Sequence, residues 1–152
     1  GLDFGFSQDP AAAVRLHLDR KRGRVYVLDE LHLRGLSNAR LAERLRVFAG
    51  DHPIVCDSAE PKSIAELRSL GLRALAAQKG PDSLRHGIRF LQGLEIIVDR
   101  RCTHTMAELQ SYRWRQDASG GCLPIPEGDD HLIDAMRYAL EQDSRRQRAQ
   151  AL

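Results

Sequence analysis

Three strand-like stretches occupy the first third of the chain, and the residues between them are of the kinds that form turns. We predict strands over residues 1–6, 12–18 and 24–31. An Asp-Pro pair at residues 9 and 10 separates the first two strands, and a basic tetrapeptide ending in Gly23 separates the second from the third. Consecutive strands joined by such short connections pair antiparallel, so the sequence predicts a three-stranded meander.

The rest of the chain alternates between helical and strand patterns. A short apolar stretch that ends at Cys56, for example, lies between two segments whose apolar residues follow helical spacing. Such alternation is typical of parallel strands joined by crossover helices. We predict helices from residue 37 or 38 to 48, over 60–71, 82–92 and 103–115, and from 129 or 130 to 142, strands over 53–56, 72–76 and 94–98, and a loop rich in glycine and proline over 119–128.

These elements predict an α/β fold with a central mixed sheet, in which parallel strands extend the antiparallel meander and helices flank the sheet. The 152 residues are enough for one domain with a single core. We assign that domain to residues 1–142 and expect the Arg-rich tail, residues 143–152, to fray. Because the chain begins within a predicted strand, we expect a domain cut from a longer protein, with a partner region upstream.

The composition argues against several classes of protein. The 23 basic residues nearly balance the 21 acidic ones, unlike in a polybasic nucleic-acid binder, and aromatic residues are too few, at 5%, for a base-stacking platform. The three cysteines are far apart without a CxxC pair, so we expect reduced thiols in a cytoplasmic protein. We expect neither secretion nor membrane insertion, and no ATPase activity from this chain by itself, because the Gly-rich phosphate-binding loop is absent from its sequence.

Two aspartates stand where a sheet would hold them rigidly. Asp3 lies within the first predicted strand between Leu2 and Phe4, and a buried carboxylate there needs a counter-charge such as a cation. Asp57 directly follows a buried strand, and ligands of sheets with parallel strands gather beyond the carboxyl ends of the strands. Plainer roles stay open, because Asp3 could face solvent and Asp57 could cap a helix or a turn.

A third acidic position lies on the last predicted helix. Asp134 follows His131 by three residues, so both side chains project from one face of the helix. If that face meets the sheet, a histidine and a carboxylate enter the interior together and need a partner or a metal; a solvated His-Asp pair is the alternative. Together Asp3, Asp57 and Asp134 suit Mg²⁺ or Mn²⁺, which prefer oxygen ligands and often occur as a pair of ions.

Five groups of residues, in a fixed order along the chain, resemble those of a known family. They are Gly1-Leu2-Asp3-Phe4-Gly5, Asp57-Ser58-Ala59-Glu60-Pro61-Lys62-Ser63-Ile64, Lys79-Gly80-Pro81-Asp82-Ser83 with Gly87-Ile88, Glu108-Leu109 with Tyr112 and Trp114, and Asp130-His131-Leu132-Ile133-Asp134-Ala135-Met136-Arg137-Tyr138. In order and spacing they resemble the C-terminal nuclease domain of the terminase large subunits of tailed bacteriophages, a ribonuclease H-like domain. The resemblance covers almost the whole chain.

The resemblance implies a function and a set of partners. It implies a metal-dependent endonuclease that cuts concatemeric double-stranded phage DNA during genome packaging in the cytoplasm of the bacterial host. The implied cofactor is Mg²⁺ or Mn²⁺, with two ions at the site. An upstream packaging ATPase domain, a small terminase subunit and a portal are the implied protein partners.

The resemblance also implies roles for particular residues. In this family the catalytic carboxylates come from the first strand, the end of the fourth strand and the C-terminal helix, and the corresponding residues are Asp3, Asp57 and Asp134. All three are implied metal ligands. His131 corresponds to a histidine that often precedes the last aspartate by one turn, and it is implied as a site-shaping or secondary metal residue.

A fourth carboxylate is common in ribonuclease H-like enzymes, and the sequence offers more than one. Glu30, Asp129 and Asp130 are the candidates, and the sequence does not choose among them. Glu30 ends the third predicted strand, so together with Asp29 it could equally face water at a strand end, which is the interpretation that we favour.

Basic residues in two places are candidate DNA contacts. Lys79 lies in a loop that resembles a segment near the active site, where a lysine could contact a phosphate. Arg20, Lys21 and Arg22 form the predicted hairpin tip and could touch the DNA backbone. For all four residues a solvated surface position is the plainer alternative, and we favour it for the hairpin tip.

Two other functions stay open at this point. Holliday-junction resolvases, transposases and ribonuclease H share the fold and the clustered carboxylates, so the fold alone does not identify the substrate. The chain could also be a non-catalytic DNA-packaging scaffold module with purely structural acidic residues. Two features argue against the scaffold. The net charge of +2 is weak for a DNA binder, and acidic residues occupy the candidate site, where a DNA binder would carry basic ones.

Overall fold

The described residues form a six-stranded mixed sheet at the centre of the molecule, together with a separate two-stranded hairpin. The computed structural model describes residues 1–5 and 9–150, apart from the side chains of residues 122, 124, 125 and 150. The strands are β1 (Leu2–Asp3), β2 (Ala11–Asp19), β3 (Arg24–Leu33), β4 (Ile54–Cys56), β5 (Ala74–Ala76), β6 (Glu95–Val98), β7 (Arg113–Gln116) and β8 (Cys122–Glu127). The sheet order is β5-β4-β1-β2-β3-β6.

The pairing of the strands confirms the predicted mixed sheet. The strands β1, β2 and β3 pair antiparallel as a meander. Parallel strands extend it on both sides, with β4 beside β1, β5 beside β4, and β6 beside β3. The crossover helices account for the parallel pairing. Each helix carries the chain back to the end of the sheet at which strands begin, so the next strand runs in the same direction.

Helices cover both faces of the sheet, and each face has its own apolar core. The helices are α1 (Asn38–Ala49), α2 (Pro61–Ser69), α3 (Ser83–Gln92), α4 (Thr103–Ser111), α5 (His131–Ala139) and α6 (Glu141–Gln150). On one face Ala13 of β2 packs with residues of α1 and α2, and on the other Ala12 and Val14 pack with α5. Successive side chains of β2 face opposite cores because the side chains of a strand alternate with a period of two residues. No helix in the described residues is long and apolar enough to cross a membrane.

Two of the predicted elements differ in the structure. The predicted helix over residues 103–115 ends at Ser111, because Tyr112 is extended with φ −70° and ψ 121°. The predicted loop over residues 119–128 instead contains β8, which pairs antiparallel with β7. Helical spacing of Met106, Leu109 and Tyr112 predicts the longer helix, and pairing with a separate strand further along the chain is not visible in local periodicity. The first strand is shorter than predicted, and Phe6 lies outside the described residues.

The C-terminal segment also differs from the prediction. The helix predicted to run to residue 142 ends at Ala139, and after Leu140 a separate helix, α6, spans Glu141–Gln150. Most of the tail that we expected to fray is therefore helical. Contacts with the body of the domain hold its first turns: Arg20 donates to Asp143 at 2.6 Å, and the N–H of Gln78 donates to Glu141 at 2.9 Å.

Candidate active site

Asp3 and Asp57 stand side by side at the carboxyl ends of two parallel neighbours. Leu2 of β1 lies opposite Cys56 of β4, and the N–H of Asp57 donates to the carbonyl of Leu2 at 2.9 Å. The residue after each of these partners is an aspartate. The carboxylates of Asp3 and Asp57 are 14% and 16% exposed, so neither lies in open solvent. Asp57 also accepts the N–H of Ala59 at 2.9 Å, which is the turn role that the sequence left open.

The helix α5 brings His131 and Asp134 to the same edge of the sheet. It packs across both β1 and β4. The close approach depends on Gly1, because a Cβ atom at this position would lie 1.8 Å from the carbonyl oxygen of Ala135. With the helix seated there, Nδ1 of His131 lies 3.1 Å from Oδ2 of Asp3. The solvated His-Asp pair, which the sequence left open as the alternative, is not what the structure contains, since each residue faces a partner in the site.

The pKa of Asp3 reports how near the other carboxylates are. This pKa is raised to about 6, chiefly by burial; the charges of Asp134 and Asp57 also raise it, while the hydrogen bond and the charge of His131 lower it. For His131, burial by itself would lower the pKa, but Asp3, together with the charges of Glu108 and Asp130, outweighs burial and raises it. The carboxylates of β1, β4 and α5 therefore share one electrostatic environment.

A basic side chain accompanies each of the three aspartates. Lys79 forms an ion pair with Asp57 and lies over the ring of Tyr138. Arg137 binds Asp134 through two nitrogens, with Nε donating to Oδ1 at 2.9 Å and a terminal nitrogen 2.7 Å from Oδ2. His131 is the partner of Asp3. Like charges crowded at a half-buried site repel one another, so these partners offset the repulsion.

The donor chemistry of the three aspartates fits a hard divalent cation. Carboxylate oxygens are the ligands that Mg²⁺ and Mn²⁺ prefer, and the raised pKa of Asp3 indicates a local excess of negative charge. In the described part of the chain, no three His, Cys, Asp or Glu side chains are grouped closely enough to hold a metal as they stand. The aspartates are instead turned toward Lys79, Arg137 and His131.

Glu108 is a residue that the sequence reasoning did not assign to the site. It is 5% exposed, and its Oε2 accepts the N–H groups of Leu132 and Ile133 at 2.8 and 3.0 Å. Burial raises the pKa of Glu108 to about 7, against the effect of these two hydrogen bonds. A carboxylate of α4 thus caps α5, while Asp130, at the N-cap position, makes no capping bond of its own among the described residues. Nothing in the local sequence marks a cap supplied by another helix.

The three candidates for a fourth carboxylate lie in different surroundings. Glu30 does not face water, as we had favoured: it is 9% exposed and accepts hydrogen bonds from the backbone and side chains of His104 and Thr105, at the start of α4. Burial by itself would raise the pKa of Glu30, but these bonds outweigh it and lower the value. Asp129 is exposed, and Asp130 is half-buried with a pKa raised by burial and by Asp134.

The structure brings one of the two basic groups to the aspartates. Lys79 is there, as the partner of Asp57. Arg20, Lys21 and Arg22 lie in the turn between β2 and β3, at the opposite end of the sheet, because β2 runs away from Asp3. In that turn Arg20 pairs with Asp143 and Arg22 pairs with Asp19.

Comparisons with known proteins match almost the whole chain to one family. Residues 3–142 match the model of the family described as the terminase RNase H-like domain. The chain is 39% identical to the terminase large subunit of Bacillus phage SPP1, over 96% of this chain and 36% of that protein. It is 33% identical to the PBSX phage terminase large subunit of Bacillus subtilis (strain 168), over 93% of this chain and 33% of that protein. The chain thus spans about a third of these relatives.

Solved structures give the same result. The nuclease domain of the large terminase from bacteriophage SPP1, crystallised with bound Mn, superposes with a TM-score of 0.87 at 39% identity, covering 94% of this chain and 84% of that one. The P22 large terminase nuclease domain gives a TM-score of 0.73 at 17% identity, covering 93% and 78%, which supports the fold alone. The ribonuclease H-like fold is therefore confirmed, and the chain belongs to the family of terminase RNase H-like domains.

Proposed function

We propose that this chain is a divalent-metal-dependent endonuclease domain that cleaves concatemeric double-stranded phage DNA during genome packaging. The observation that carries the proposal is the convergence of carboxylates from β1, β4 and α5, where the charges of Asp57 and Asp134 both raise the pKa of Asp3. A purely structural set of acids would not need to be crowded at one half-buried edge, because crowding costs stability. The likeness to the Mn-bound SPP1 nuclease domain supports the same function.

We assign the metal ligands to Asp3, Asp57 and Asp134, with Mg²⁺ or Mn²⁺ as the cofactor and two ions at the site. Ions of this kind, when bound, activate a water for attack on phosphorus and stabilise the departing oxygen. The chain itself supplies rigid placement: β1 and β4 hold two carboxylates in register, and α5 holds the third. His131 orients the carboxylate of Asp3 through the contact of 3.1 Å.

Lys79 and Arg137 have a second role in this proposal. Each offsets one carboxylate, Asp57 or Asp134, in the metal-free domain. Metal ions that neutralise the two carboxylates would release both basic side chains beside the scissile phosphate, where a lysine and a guanidinium can bind phosphate oxygens. Release of Lys79 costs less free energy than release of Arg137, since the lysine side chain is 44% exposed and that of Arg137 is 9% exposed.

The setting of the domain is proposed from its relatives. We assign residues 1–142 to the nuclease domain, and the threefold greater length of the curated relatives leaves room for an upstream ATPase domain. Double-stranded DNA is the proposed substrate, and a small terminase subunit and a portal are proposed protein partners. Packaging of phage DNA would place the protein in the cytoplasm of the bacterial host.

Cleavage of supercoiled plasmid by the purified domain tests the function. Parallel reactions contain Mg²⁺, Mn²⁺ or EDTA, and Asp57→Asn is compared with Asp51→Asn, which changes an exposed aspartate in the turn after α1. We expect cutting that needs the metal, is lost in Asp57→Asn and is kept in Asp51→Asn. Cutting that persists in EDTA, or equal activity of both variants, would refute the assignment.

The cleavage assay also separates the two alternative functions, a non-catalytic packaging scaffold and a resolvase. A packaging scaffold would bind DNA without cutting it under any metal condition. A resolvase would cut a four-way junction in preference to linear duplex, so equal amounts of both substrates are tested in one reaction. Cutting of linear duplex without preference for the junction is the expected result for a packaging nuclease.

A further inference from the structure

A groove opens beside Asp134, bounded by α3, by α5 and α6, and by the loop after β5. We name it the α3–α6 groove; its volume is about 750 Å³. Asp134 and Arg137 line it on the side of α5, and Lys79 lines it on the side of the loop. Because Lys79 also pairs with Asp57, the groove starts at the candidate active site.

Positive charge dominates this groove. The described side chains that line it include five basic and two acidic ones, and these are Lys79, Arg89, Arg137, Arg145, Arg148, Asp134 and Glu141. The chain as a whole is close to neutral, with 23 basic and 21 acidic residues, so the excess is local. A local excess of cations next to a hydrolytic site favours an anionic substrate.

The five cations divide into two groups. Lys79, Arg137 and Arg145 each form an ion pair within the domain, and Arg137 is further packed against α3 at Gly87, where a Cβ atom would lie 3.1 Å from its Cδ. Among the described residues, neither Arg89 nor Arg148 forms an ion pair. Both are exposed, one on α3 and one on α6. These two arginines are therefore the donors that the fold leaves for a ligand.

Apolar side chains in the groove strengthen the attraction for an anion. Leu84 and Phe90 of α3 and Pro81 line the groove together with the basic residues. A low-dielectric wall next to a cation reduces the screening of its field by water. Phosphate is well matched to arginine, because the planar guanidinium group donates two parallel hydrogen bonds to phosphate oxygens.

We propose that the α3–α6 groove binds the phosphodiester backbone of the DNA strand that enters the active site, with Arg89 and Arg148 contacting phosphates beyond the scissile one. The inference rests on the proposed function, since it takes DNA as the substrate. Contacts of this kind fix the position of the strand and are independent of base sequence. The groove would thus give the domain affinity for DNA that does not depend on the metal site.

DNA affinity in EDTA tests the groove without any catalysis. The double variant Arg89→Gln, Arg148→Gln is compared with wild type and with Arg40→Gln, Arg44→Gln, which removes the same charge from exposed positions on α1, on the other face of the sheet. Fluorescence anisotropy gives the Kd for a labelled duplex and for a labelled single strand at several salt concentrations. Each lost phosphate contact lowers the slope of log K against log salt by about 0.9 for duplex DNA.

We expect the groove variant to lower this slope by about 2 for the duplex, while the control variant binds like wild type. Loss of affinity for either form of DNA supports the groove, and the form that loses more is the one that lies in it. Equal binding by both double variants, or no binding of DNA by wild type, would overturn the proposal. If plasmid is cut but the groove variant binds normally, only the groove is refuted; if the groove variant loses affinity but no plasmid is cut, only the nuclease function is refuted.

Discussion

The two ends of the central sheet carry the same kinds of ion pair in different surroundings. At the carboxyl ends of β1 and β4, the pair of Arg137 and Asp134 has side chains 9% and 19% exposed. At the opposite end, in the turn between β2 and β3, Arg20 bonds Asp143 at 2.6 Å; the arginine side chain is 66% exposed and that of Asp143 is 15% exposed. Short distances occur at both ends, so distance alone does not distinguish them.

Burial of the arginine makes the difference between the two ends. A pair whose arginine is exposed is screened by water and adds little to stability, whereas a pair buried on both sides must offset the loss of hydration of both groups. Removal of one partner from a buried pair leaves a charge with neither water nor a counter-charge. The carboxyl end of the sheet therefore carries an energetic cost that the turn does not, and we interpret that cost as a requirement of function.

The largest expected effect is on catalysis at the buried end. Asp134→Asn keeps the shape of the side chain and removes its charge, so we expect cleavage of plasmid to fall on the order of a thousandfold. Asp143→Asn is the matched change at the opposite end of the sheet, and its cleavage rate should equal that of wild type. Initial rates of plasmid nicking in Mn²⁺ measure both. A similar loss in the two variants would mean that the comparison between the ends is wrong.

Next in size is the effect of removing the cap on α5. Glu108→Ala leaves the N–H groups of Leu132 and Ile133 without their acceptor, and we expect a loss of about 2–4 kcal/mol in the free energy of unfolding. Glu108→Gln keeps an oxygen at the same place and should lose much less. Urea denaturation followed by circular dichroism measures both variants. Equal stability of the alanine variant and wild type would exclude capping by Glu108.

Replacement of Asp3 should change the free energy of unfolding in the opposite direction from Glu108→Ala. Its pKa is raised from 3.8 to about 6 in the folded state, so the charged form is disfavoured and stability is lost as the pH rises through this window. Asp3→Asn should therefore stabilise the metal-free domain by about 1–3 kcal/mol at neutral pH, and the gain should vanish near pH 4. Urea denaturation in EDTA across this range tests it. A variant less stable than wild type at neutral pH would contradict the pKa shift.

The smallest effect is expected in the turn. Arg20→Gln breaks the bond to Asp143, but the arginine side chain is 66% exposed and water screens its charge, so we expect no resolvable change in the urea midpoint or in the cleavage rate. The same measurements in high and low salt should also agree. A loss of DNA affinity in Arg20→Gln would revive the hairpin tip as a DNA contact.

Much of the fold was readable from the sequence because its signals are local. Turn residues between apolar strands predicted the meander, and helical spacing with capping residues predicted α1, α2 and α3 close to their observed ends. The predicted helix over residues 103–115 was too long because Tyr112 continues the apolar spacing after the backbone has become extended. The hairpin of β7 and β8 was missed because strand pairing depends on a partner that periodicity does not identify.

For the candidate site, the sequence by itself determined the chemical inventory and the order of the elements that carry it: an aspartate within the first strand, one after a buried strand, and a His-Asp pair on the last helix. Tertiary structure decided the electrostatics. The partners of these aspartates, the capping of α5 by Glu108, and the capping of α4 by Glu30 all join distant elements. The physical reason is that a pKa and an ion pair depend on distance and burial in three dimensions, which local spacing does not encode.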